Sequence, residues 1–421
     1  MVNSTAILVP CLVVAVPFIV YFGFLGLVTI PWFQRNVIYA HKIHSLWWGN
    51  INEPEQWGFA ENQVTPFRIT TPDGESLYAW HVLPLSIYAQ HESTLSSQPG
   101  GLSPDITTTE NFRLLRDDPN AKLIITSQLT QGYRPQHYHT LTGPHSPYHL
   151  LAIDYRGFGL SSGSPTESGL ALDAEAAVRW AVETARVPPE RIVIVGHSLG
   201  TAVTAALMER LILGSATASG SSCSSPASNS DPSGSELTRD DDTSWNFAGI
   251  VQIAPFSSLP DMLSDYAIAG LIPVLRPLKW AWPWGVRKLL SRLVDRWDSA
   301  GRWRRIARAV SERGGRLRIT FVHAKNDRDI PPKEDDLLFQ AVVEGMLGGD
   351  RRWDDGEGFE MEKKKRVVVK GKNEFVAEWR EGDVVVRQEL VPHGGHNAVL
   401  VSAPVLLAVA RSFDSDAESA V

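Results

Sequence analysis

The chain has 421 residues, of which 43% are hydrophobic and 9% aromatic, including 14 tryptophans. This length allows one large domain or two ordinary ones, each with a sizeable core. The formal net charge of −7 gives no indication of a nucleic-acid partner, since no basic stripe dominates the sequence. Only two cysteines are present, Cys11 and Cys223, so a disulfide framework is not expected.

The first feature along the chain is an uncharged apolar run at residues 6–33. About 20 apolar residues suffice to span a bilayer, so the run predicts an N-terminal transmembrane helix. A cleaved signal peptide is the alternative, but no basic residue precedes the run and the run is longer than such a peptide needs. We therefore expect a membrane anchor and juxtamembrane segment over residues 1–48. Arg35 and Lys42 follow the run and favour a cytosolic position for the rest of the chain.

Beyond this segment, apolar runs alternate with helical patterns, which predicts an α/β fold with a mostly parallel central sheet and helices on both faces. Several runs are continuous stretches of Val, Ile and Leu, as expected for strands buried on both sides. The predicted strands are PFRIT at 66–70, LYAWHVL at 77–83, KLIIT at 122–126, HLLAIDY at 149–155, RIVIVGH at 191–197, AGIVQIA at 248–254, LRITFVHA at 317–324 and RQELVPH at 387–393. The predicted helices are 168–186, 200–213 and 403–413.

Four stretches interrupt this alternation. Residues 90–120 are polar and indicate a solvated loop, while residues 215–245 are of low complexity and are expected to be disordered. Residues 350–372 mix charge runs, which is compatible with a hairpin excursion. Residues 259–310 interleave apolar and aromatic residues with cations. This last pattern fits either a cap that also touches lipid headgroups or an ordinary packed helical excursion.

The strand RIVIVGH runs directly into Gly-His-Ser-Leu-Gly, and a helical pattern of small residues follows at once. This arrangement predicts a nucleophile elbow with Ser198 as the nucleophile at the carboxyl edge of the sheet. Gly196 and Gly200 are expected because a Cβ there would collide with the neighbouring strand or helix. A helix that begins near Leu199 would direct its N-terminal amides at developing negative charge. An ordinary strand–turn–helix joint with incidental glycines is the alternative.

A nucleophilic serine needs a base and a carboxylate, which follow it in the order Asp or Glu, then His. Asp327 comes first after a predicted strand, and Asp329 is the second candidate, expected to be a solvated charge at a helix start. His396 follows a glycine pair and precedes a helical run, whereas His393 is expected at a strand end. His197 stands beside the serine in sequence but is expected to pack rather than to act as the base.

Four stretches of the sequence resemble the α/β-hydrolase superfamily: AIDYRGFGLSSGSPTESGL, IVGHSLGTAV, VHAKNDRDIPP and HGGHNAVL. Together with the N-terminal apolar run, they are most similar to the membrane-bound monoacylglycerol and lysophosphatidylserine lipase branch. The resemblance begins at about residue 64 and excludes the polar inserts. It implies an α/β-hydrolase domain over residues 49–421, with the disordered insert at 215–245 and a helical cap insertion at 259–310.

The resemblance also implies a function. Members of this branch are membrane-anchored serine hydrolases that cleave acyl esters of lipids, such as monoacylglycerol or lysophospholipid, through an acyl-enzyme. Their nucleophile, acid and base fall on Ser198, Asp327 and His396. The expected partners are a lipid ester and a membrane, with no nucleic acid, no cofactor and no metal. The branch implies the endoplasmic reticulum or another endomembrane, with a lumenal catalytic domain, which is opposite to the side that the charges favour.

One departure from the family pattern concerns the oxyanion hole. Such hydrolases carry a His-Gly-rich motif after the strand that here reads KLIIT, but this chain has SQLTQGYRPQHY instead. The Leu199 amide supplies one donor, and the second is assigned near Ser127 or Gln128. A missing donor typically costs about 10²–10³ in rate. A weak or inactive hydrolase-like binding protein is therefore an alternative, as is a serine peptidase or thioesterase on the same triad.

Two further signals are weaker. His137, His139, His145 and His149 resemble metal ligands, but no acidic or cysteine ligand is interleaved, so a zinc site is not expected. Asp154 ends a predicted strand and is a conceivable acid. Because it precedes the serine, we expect a structural role instead.

Overall fold

The computed structural model describes residues 4–42, 49–127, 134–217, 245–268, 272–348, 356–370 and 374–414. The strands are β1 Val64–Thr70, β2 Ser76–Val82, β3 Lys122–Ser127, β4 Tyr148–Ile153, β5 Ile192–His197, β6 Gly249–Ile253, β7 Ala267–Ile268, β8 Ile272–Pro273, β9 Leu317–Ala324, β10 Val367–Lys370, β11 Phe375–Glu381 and β12 Val384–Val391. The α-helices are α1 Ser4–Leu27, α2 Pro31–Tyr39, α3 Leu85–Ser96, α4 Glu110–Arg116, α5 Arg134–Leu141, α6 Glu167–Arg179, α7 Leu199–Thr217, α8 Leu259–Asp265, α9 Arg276–Ala281, α10 Pro283–Leu290, α11 Ser299–Glu312, α12 Lys333–Met346, α13 Gly356–Lys364 and α14 Ala403–Asp414.

Ten of these strands form one mixed sheet in the order β1-β2-β4-β3-β5-β6-β9-β12-β11-β10. The six strands from β4 to β12 in this order run parallel to one another. The strands at both edges pair antiparallel with their neighbours. All eight strands predicted from the apolar runs are present, so the parallel centre of the sheet is confirmed.

Helices cover both faces of this sheet. Side chains alternate across a strand, so Leu123 and Ile192 face one side while their neighbours Ile124 and Val193 face the other. The first core contains residues of α6, α7, α11 and α12, and the second contains residues of α5 and α14. The prediction of a sheet between two helical layers is therefore confirmed.

The strand order reverses next to β3, because β4 lies on one side of it and β5 on the other. The connection from β3 to β4 runs through α5 on one face, whereas the connection from β4 to β5 runs through α6 on the opposite face. Open α/β sheets bind ligands in the crevice that opens at the carboxyl ends of strands at such a point. β5 ends there at His197, and Ser198 follows.

The N-terminal helices pack against the segment between β6 and β9. The Gln34 side-chain amide donates to the carbonyl oxygen of Arg292 at 2.9 Å, and the Tyr39 hydroxyl donates to Asp295 at 2.8 Å. Across the described part of the chain, no single helix has both the length and the hydropathy of a membrane span. Two consecutive helices, Ala15–Leu27 and Pro31–Tyr39, reach this length and hydropathy when they are taken together. They meet at an angle of 103°.

The polar segment 90–120 is not the solvated loop that its composition indicates. It contains the end of α3 and all of α4, and it buries Leu95, Ile106, Phe112 and Leu115. Leu95, Ile106 and Phe112 each stand between polar neighbours, and only Leu115 has an apolar neighbour, Leu114, so the periodicity of the helices is weak in the sequence. The sequence prediction for this segment is therefore wrong.

The other inserts have mixed outcomes. Residues 356–370 form α13 and β10, and β10 pairs antiparallel with the next strand, β11, as in a hairpin. This pair extends the main sheet and is not an excursion from it. The expected disordered insert at 215–245 lies outside the described residues except for the end of α7 and for Trp245. The division at residue 48/49 stays a prediction.

The predicted cap region spans α8, α9, α10 and most of α11. Of these helices, α11 packs against α7 and α12, with Trp303 and Ile306 in the main core. α9 and α10 instead share a small separate core with α1, built on Leu25, Leu275 and Val286. α9 and α10 therefore lie against the N-terminal helix.

Candidate active site

Ser198 occupies a strained turn between β5 and α7. Its φ is +52°, in the left-handed region that residues with a Cβ rarely adopt. Its backbone N–H donates to the carbonyl oxygen of Ile253 in the neighbouring strand at 3.0 Å, which fixes the turn to the sheet. The turn places a half-buried Ser198 at the carboxyl edge, immediately before the N-terminus of a 19-residue helix.

The two glycines that flank this serine are required by close approach. A Cβ at Gly196 would lie 2.8 Å from the carbonyl oxygen of Gly200 and 2.9 Å from the Cα of Thr201, both at the start of α7. A Cβ at Gly200 would lie 3.1 Å from the hydroxyl of Ser127, at the end of β3. The predicted collision is present at Gly196, with backbone atoms of the helix, whereas at Gly200 the approach to the Ser127 side chain is a tight contact that a small shift would relieve.

Gly196→Ala is expected to lower the free energy of unfolding by about 1–3 kcal/mol, because backbone atoms would have to move away from the new methyl group. Gly214→Ala is the matched control, since this glycine is in α7 and a Cβ there meets no atom within 4 Å. The control should be neutral or slightly stabilising, because alanine favours helices. Urea unfolding of the three proteins measures this, and equal stabilities would contradict the close approach at Gly196.

The side chains of Ser198, His396 and Asp327 lie in a line of hydrogen bonds. His396 Nε2 is 3.0 Å from Ser198 Oγ, and His396 Nδ1 is 2.8 Å from Asp327 Oδ2. A carboxylate can only accept, so Nδ1 carries the proton and Nε2 is the acceptor for the serine hydroxyl. The structure thus brings together three residues that are up to 198 positions apart in the chain.

The loop that carries His396 is held by its backbone. Gly394 and Gly395 have φ of +131° and +54°, and a Cβ on Gly394 would collide with the Cα of Val399. The Gly395 N–H donates to the Asn326 side chain at 2.8 Å. The His197 ring donates from Nε2 to the carbonyl oxygen of His396 at 2.7 Å. His197, the residue before Ser198, therefore positions the histidine loop, which goes beyond the packing role expected from sequence.

The rejected candidates lie nearby. His393 is exposed in the same loop. Asp329 donates its backbone N–H to Asp327 Oδ1, and its side chain is half-buried. Within the described ranges, one group has a metal-like spacing: ligand atoms of Asp327, Asp329 and His396 within 4.8 Å of one another. Hydrogen bonds among His396, Asp327 and Ser198 already account for the placement of two of its members.

The weaker candidates from the sequence, two of the histidines that resemble metal ligands and the alternative acid Asp154, make other contacts. The His139 ring donates to the carbonyl oxygen of Trp57 at 2.7 Å, and His149 pairs with His81 at 3.2 Å. Asp154 is fully buried at the end of β4, where its backbone N–H donates to the carbonyl oxygen of Tyr78. These contacts belong to packing and to the sheet.

A second buried pair lies behind Asp327. His323, at the end of β9, points Nδ1 at Asp335 Oδ1, 2.8 Å away. Its Nε2 is 3.0 Å from the carbonyl oxygen of Ile330 and 3.3 Å from Asp327 Oδ2. Both ring nitrogens face oxygen atoms, and the two neighbouring carboxylates favour the protonated form of His323. The sequence analysis missed this pair, although a histidine in a buried strand four residues before the acid was a visible signal.

The charges of this network shift its protonation equilibria. Burial alone would lower the pKa of His323, but the charge of Asp335 and the hydrogen bonds to Asp327 and Asp335 raise that pKa to about 10. Burial alone would raise the pKa of Asp327, but hydrogen bonds from His323 and His396 outweigh it and hold that pKa below its usual value. Asp327 is therefore ionised throughout the neutral range.

We expect the contribution of His323 to the free energy of unfolding to decrease as the pH becomes alkaline. Its folded-state pKa of about 10 lies above the ordinary value of 6.5, so the folded protein holds this proton more tightly. The contribution is complete below pH 6.5 and is lost as the pH rises towards 10. The free energy of unfolding, measured across that window, should fall more steeply for the wild type than for His323→Gln. Exposed His145→Gln should keep the wild-type slope, and a slope unchanged in His323→Gln would contradict the assignment.

The predicted oxyanion donors are placed only in part. Leu199 begins α7 directly after Ser198, and the Ser127 hydroxyl lies near Gly200, on the other side of the elbow. Gln128 lies outside the described residues. Leu199 and Ser127 therefore lie at the same corner of the sheet as the serine, and the second backbone donor stays a prediction.

The segment before α9 reaches this site. Asp265, at the end of α8, forms ion pairs with Lys279 of α9 and with Lys333 at the start of α12. Lys333 follows Asp327 by six residues, so its ion pair with Asp265 brings the end of α8 close to the segment after Asp327. Burial and then the charge of Asp329 raise the pKa of Tyr266, the residue after α8. The end of α8 thus adjoins the loop that carries Asp327.

Comparison with known proteins agrees with this architecture. Residues 130–410 match the model of the alpha/beta hydrolase family. The chain is 28% identical over 202 residues to the lysophosphatidylserine lipase ABHD12 of Xenopus tropicalis, covering 48% of this chain and 46% of that protein. It is 26% identical over 183 residues to the Danio rerio lysophosphatidylserine lipase, covering 43% and 44%. The chain spans about half the length of these curated relatives. The resemblance that the motifs indicated is confirmed.

Solved structures with a related arrangement include an esterase of Pyrococcus furiosus, with 14% identity and a TM-score of 0.42 over 86% of this chain and 92% of that one. An alpha-beta hydrolase of Vibrio vulnificus has 14% identity and a TM-score of 0.43 over 92% and 91%.

Proposed function

This chain belongs to the alpha/beta hydrolase family, and we propose that it is a serine hydrolase that cleaves acyl esters of lipids through an acyl-enzyme. The observation that carries the proposal is the line of hydrogen bonds from Ser198 through His396 to Asp327. A serine whose hydroxyl faces a histidine, itself oriented by a buried carboxylate, is the arrangement that makes a weak nucleophile reactive.

In the first half-reaction, Ser198 Oγ attacks the ester carbonyl carbon while its proton moves to His396 Nε2. The tetrahedral intermediate collapses, the ester C–O bond breaks, and the leaving alcohol takes the proton from Nε2. Asp327 keeps Nδ1 protonated and stabilises the imidazolium that forms. The N-terminus of α7, beginning at Leu199, faces the developing oxyanion.

In the second half-reaction, His396 Nε2 takes a proton from water, and the resulting hydroxide attacks the acyl carbon. The bond to Ser198 Oγ breaks, the serine regains its proton, and the fatty acid leaves. The hydrogen bond from His197 to the backbone of His396 keeps the ring in place during both transfers. A displacement of the His396 ring by about 1 Å would remove much of the rate acceleration that this alignment provides.

The proposed substrate is a monoacylglycerol or a lysophospholipid. This part of the proposal is supported by the matched relatives, which are named lysophosphatidylserine lipases. It is also supported by the uncharged run at residues 6–33, which is long enough to span a bilayer and would hold the site beside lipid. We propose a single-pass membrane protein of the endoplasmic reticulum or another endomembrane, with the hydrolase domain after residue 48.

Labelling with a fluorophosphonate probe tests the nucleophile directly, because the probe reacts only with an activated serine. The wild type should be labelled, and Ser198→Ala should not. Ser257→Ala is a matched control, since this buried serine belongs to the loop after β6. Equal labelling of wild type and Ser198→Ala would end the proposal.

A panel of substrates tests the reaction class. Ser198-dependent release of fatty acid from lysophospholipid or monoacylglycerol is the expected result. Faster turnover of thioesters or peptides would assign the same triad to a different reaction, because the fold does not decide this. Binding of lysolipid without turnover in the wild type would favour the binding protein that the missing His-Gly motif suggests.

A further inference from the structure

α9 and α10 carry an exposed surface that the proposed chemistry does not use. Trp280, Trp282 and Trp284 are exposed there, with Trp280 exposed by 91%. Isolated exposed apolar residues are ordinary on proteins, whereas three tryptophans within five residues form a concentrated apolar patch. We call the exposed side chains of α9 and α10 the tryptophan surface.

This surface is also positively charged. The stretch 274–294 contains no Asp or Glu, and its cations are Arg276, Lys279, Arg287, Lys288 and Arg292. Of these, Lys279 is paired with Asp265 of α8. The whole chain, in contrast, has a formal net charge of −7. Tryptophans interleaved with cations complement the headgroup layer of an anionic bilayer, where each basic residue contributes about 1 kcal/mol of binding.

The tryptophan surface is continuous with the apolar N-terminal helix. Leu275 and Val286 share a core with Leu25 near the end of α1, and the Tyr21 hydroxyl donates to the carbonyl oxygen of Val274 at 2.7 Å. The exposed apolar side chains of α1 include Val16, Phe18, Ile19, Val20 and Phe22. A helix that enters a bilayer leaves the acyl region near its end, which is the depth at which tryptophans and cations concentrate.

We propose that the tryptophan surface docks on the headgroup layer of an anionic bilayer and holds the entrance of the serine site against that layer. The proposal rests on the lipid-ester function proposed above. The tryptophan surface is connected to the neighbourhood of the site, because an ion pair between Lys279 of α9 and Asp265 joins this surface to the end of α8. The end of α8 is tied by Asp265 to Lys333, beside the acid loop. A substrate that leaves the bilayer there would reach Ser198 without crossing bulk water.

A fluorescence experiment tests the docking independently of activity. The full chain with Cys11→Ser, Cys223→Ser and Trp280→Cys is labelled with an environment-sensitive dye and reconstituted into phosphatidylcholine bilayers with and without phosphatidylserine. The dye should shift to the blue, and more strongly with the anionic lipid. A dye placed by Leu407→Cys, an exposed position on α14, should remain in water.

Two outcomes of this experiment overturn the proposal. A dye at position 280 that stays in water on both bilayers excludes docking. A blue shift that is lost when the protein is diluted at constant lipid assigns the surface to a second copy of this chain instead.

An activity ratio tests the consequence for turnover. Arg287→Glu should lower hydrolysis of lysolipid in anionic vesicles by about tenfold or more, since a charge reversal removes one attraction and adds a repulsion. Hydrolysis of a soluble short-chain ester should change by less than about twofold, because the triad is untouched. Lys364→Glu, an exposed cation on α13, is the matched control and should leave both rates unchanged.

Equal loss on both substrates in Arg287→Glu would overturn the proposal. If the wild type hydrolysed neither substrate faster than Ser198→Ala does, the proposed function would be contradicted. The fluorescence of the dye at position 280 would then still show whether the surface docks.

Discussion

His396→Ala is expected to lower kcat by about 10⁶, because the members of a catalytic triad act as a unit and loss of the base removes nearly all of its effect. Without the imidazole, the Ser198 hydroxyl loses the acceptor that lies 3.0 Å away. The side chain is half-buried at the mouth of the site, so its truncation should leave the fold intact. The rate is measured with a soluble ester, and folding is checked by the unfolding midpoint.

His393→Ala is the matched control for this prediction. It removes an exposed histidine three residues earlier in the same loop, and it should change kcat by less than about twofold. If the two variants lost the same activity, the loop as a whole would be responsible. If only His393→Ala lost activity, the assignment of the base would be wrong.

Asp327→Asn is expected to lower kcat by about 10⁴ through the wrong tautomer of His396. The carboxylate accepts three hydrogen bonds, from the backbone N–H groups of Asp329 and Ile330 to Oδ1 and from the His396 ring to Oδ2. The His323 ring lies 3.3 Å from Oδ2 as an ion-pair contact. An asparagine must keep its oxygen towards the two backbone donors. Its NH₂ group would then face His396 Nδ1, which would have to become an acceptor and leave the proton on Nε2.

Asp329→Asn separates the two candidate acids. The Asp329 carboxylate is close to the triad, but the hydrogen bond from Asp329 to Asp327 comes from the backbone N–H. The substitution keeps this bond and should lower kcat by at most a few-fold. An effect of Asp329→Asn as large as that of Asp327→Asn would contradict the assignment of the acid. Both rates are measured across the pH range, because a change of tautomer lowers the plateau as well as its edges.

The juxtaposition of Ser198, His396 and Asp327 was predictable because it follows from short local patterns. Gly196, Ser198 and Gly200 form a pattern that follows from one strained turn, and the order of acid and histidine follows from the fold. The central strands were predictable for a related reason, since strands buried on both faces are continuous apolar runs. Burial and backbone strain restrict the residue types at these positions to a few.

What the sequence did not predict depends on contacts between distant residues. α13, β10 and β11 lie in a charged stretch where edge strands need only one apolar face, so their pattern is weak. Asp335 is one of several acids at the start of α12, and nothing in that run distinguishes the carboxylate that pairs with His323. His323 and Asp335 pair only because β9 and α12 pack with these two residues next to each other.

The 19-residue α7 has a consequence for how this protein tolerates change. It begins beside Ser198 and, at about 1.5 Å per residue, carries the chain roughly 27 Å away, to the edge at which β6 begins. The described residues on either side of this interval, the end of α7 and the start of β6, therefore lie at the rim remote from Ser198. Natural variation in its length, or an epitope tag inserted by an experimenter, would leave turnover untouched.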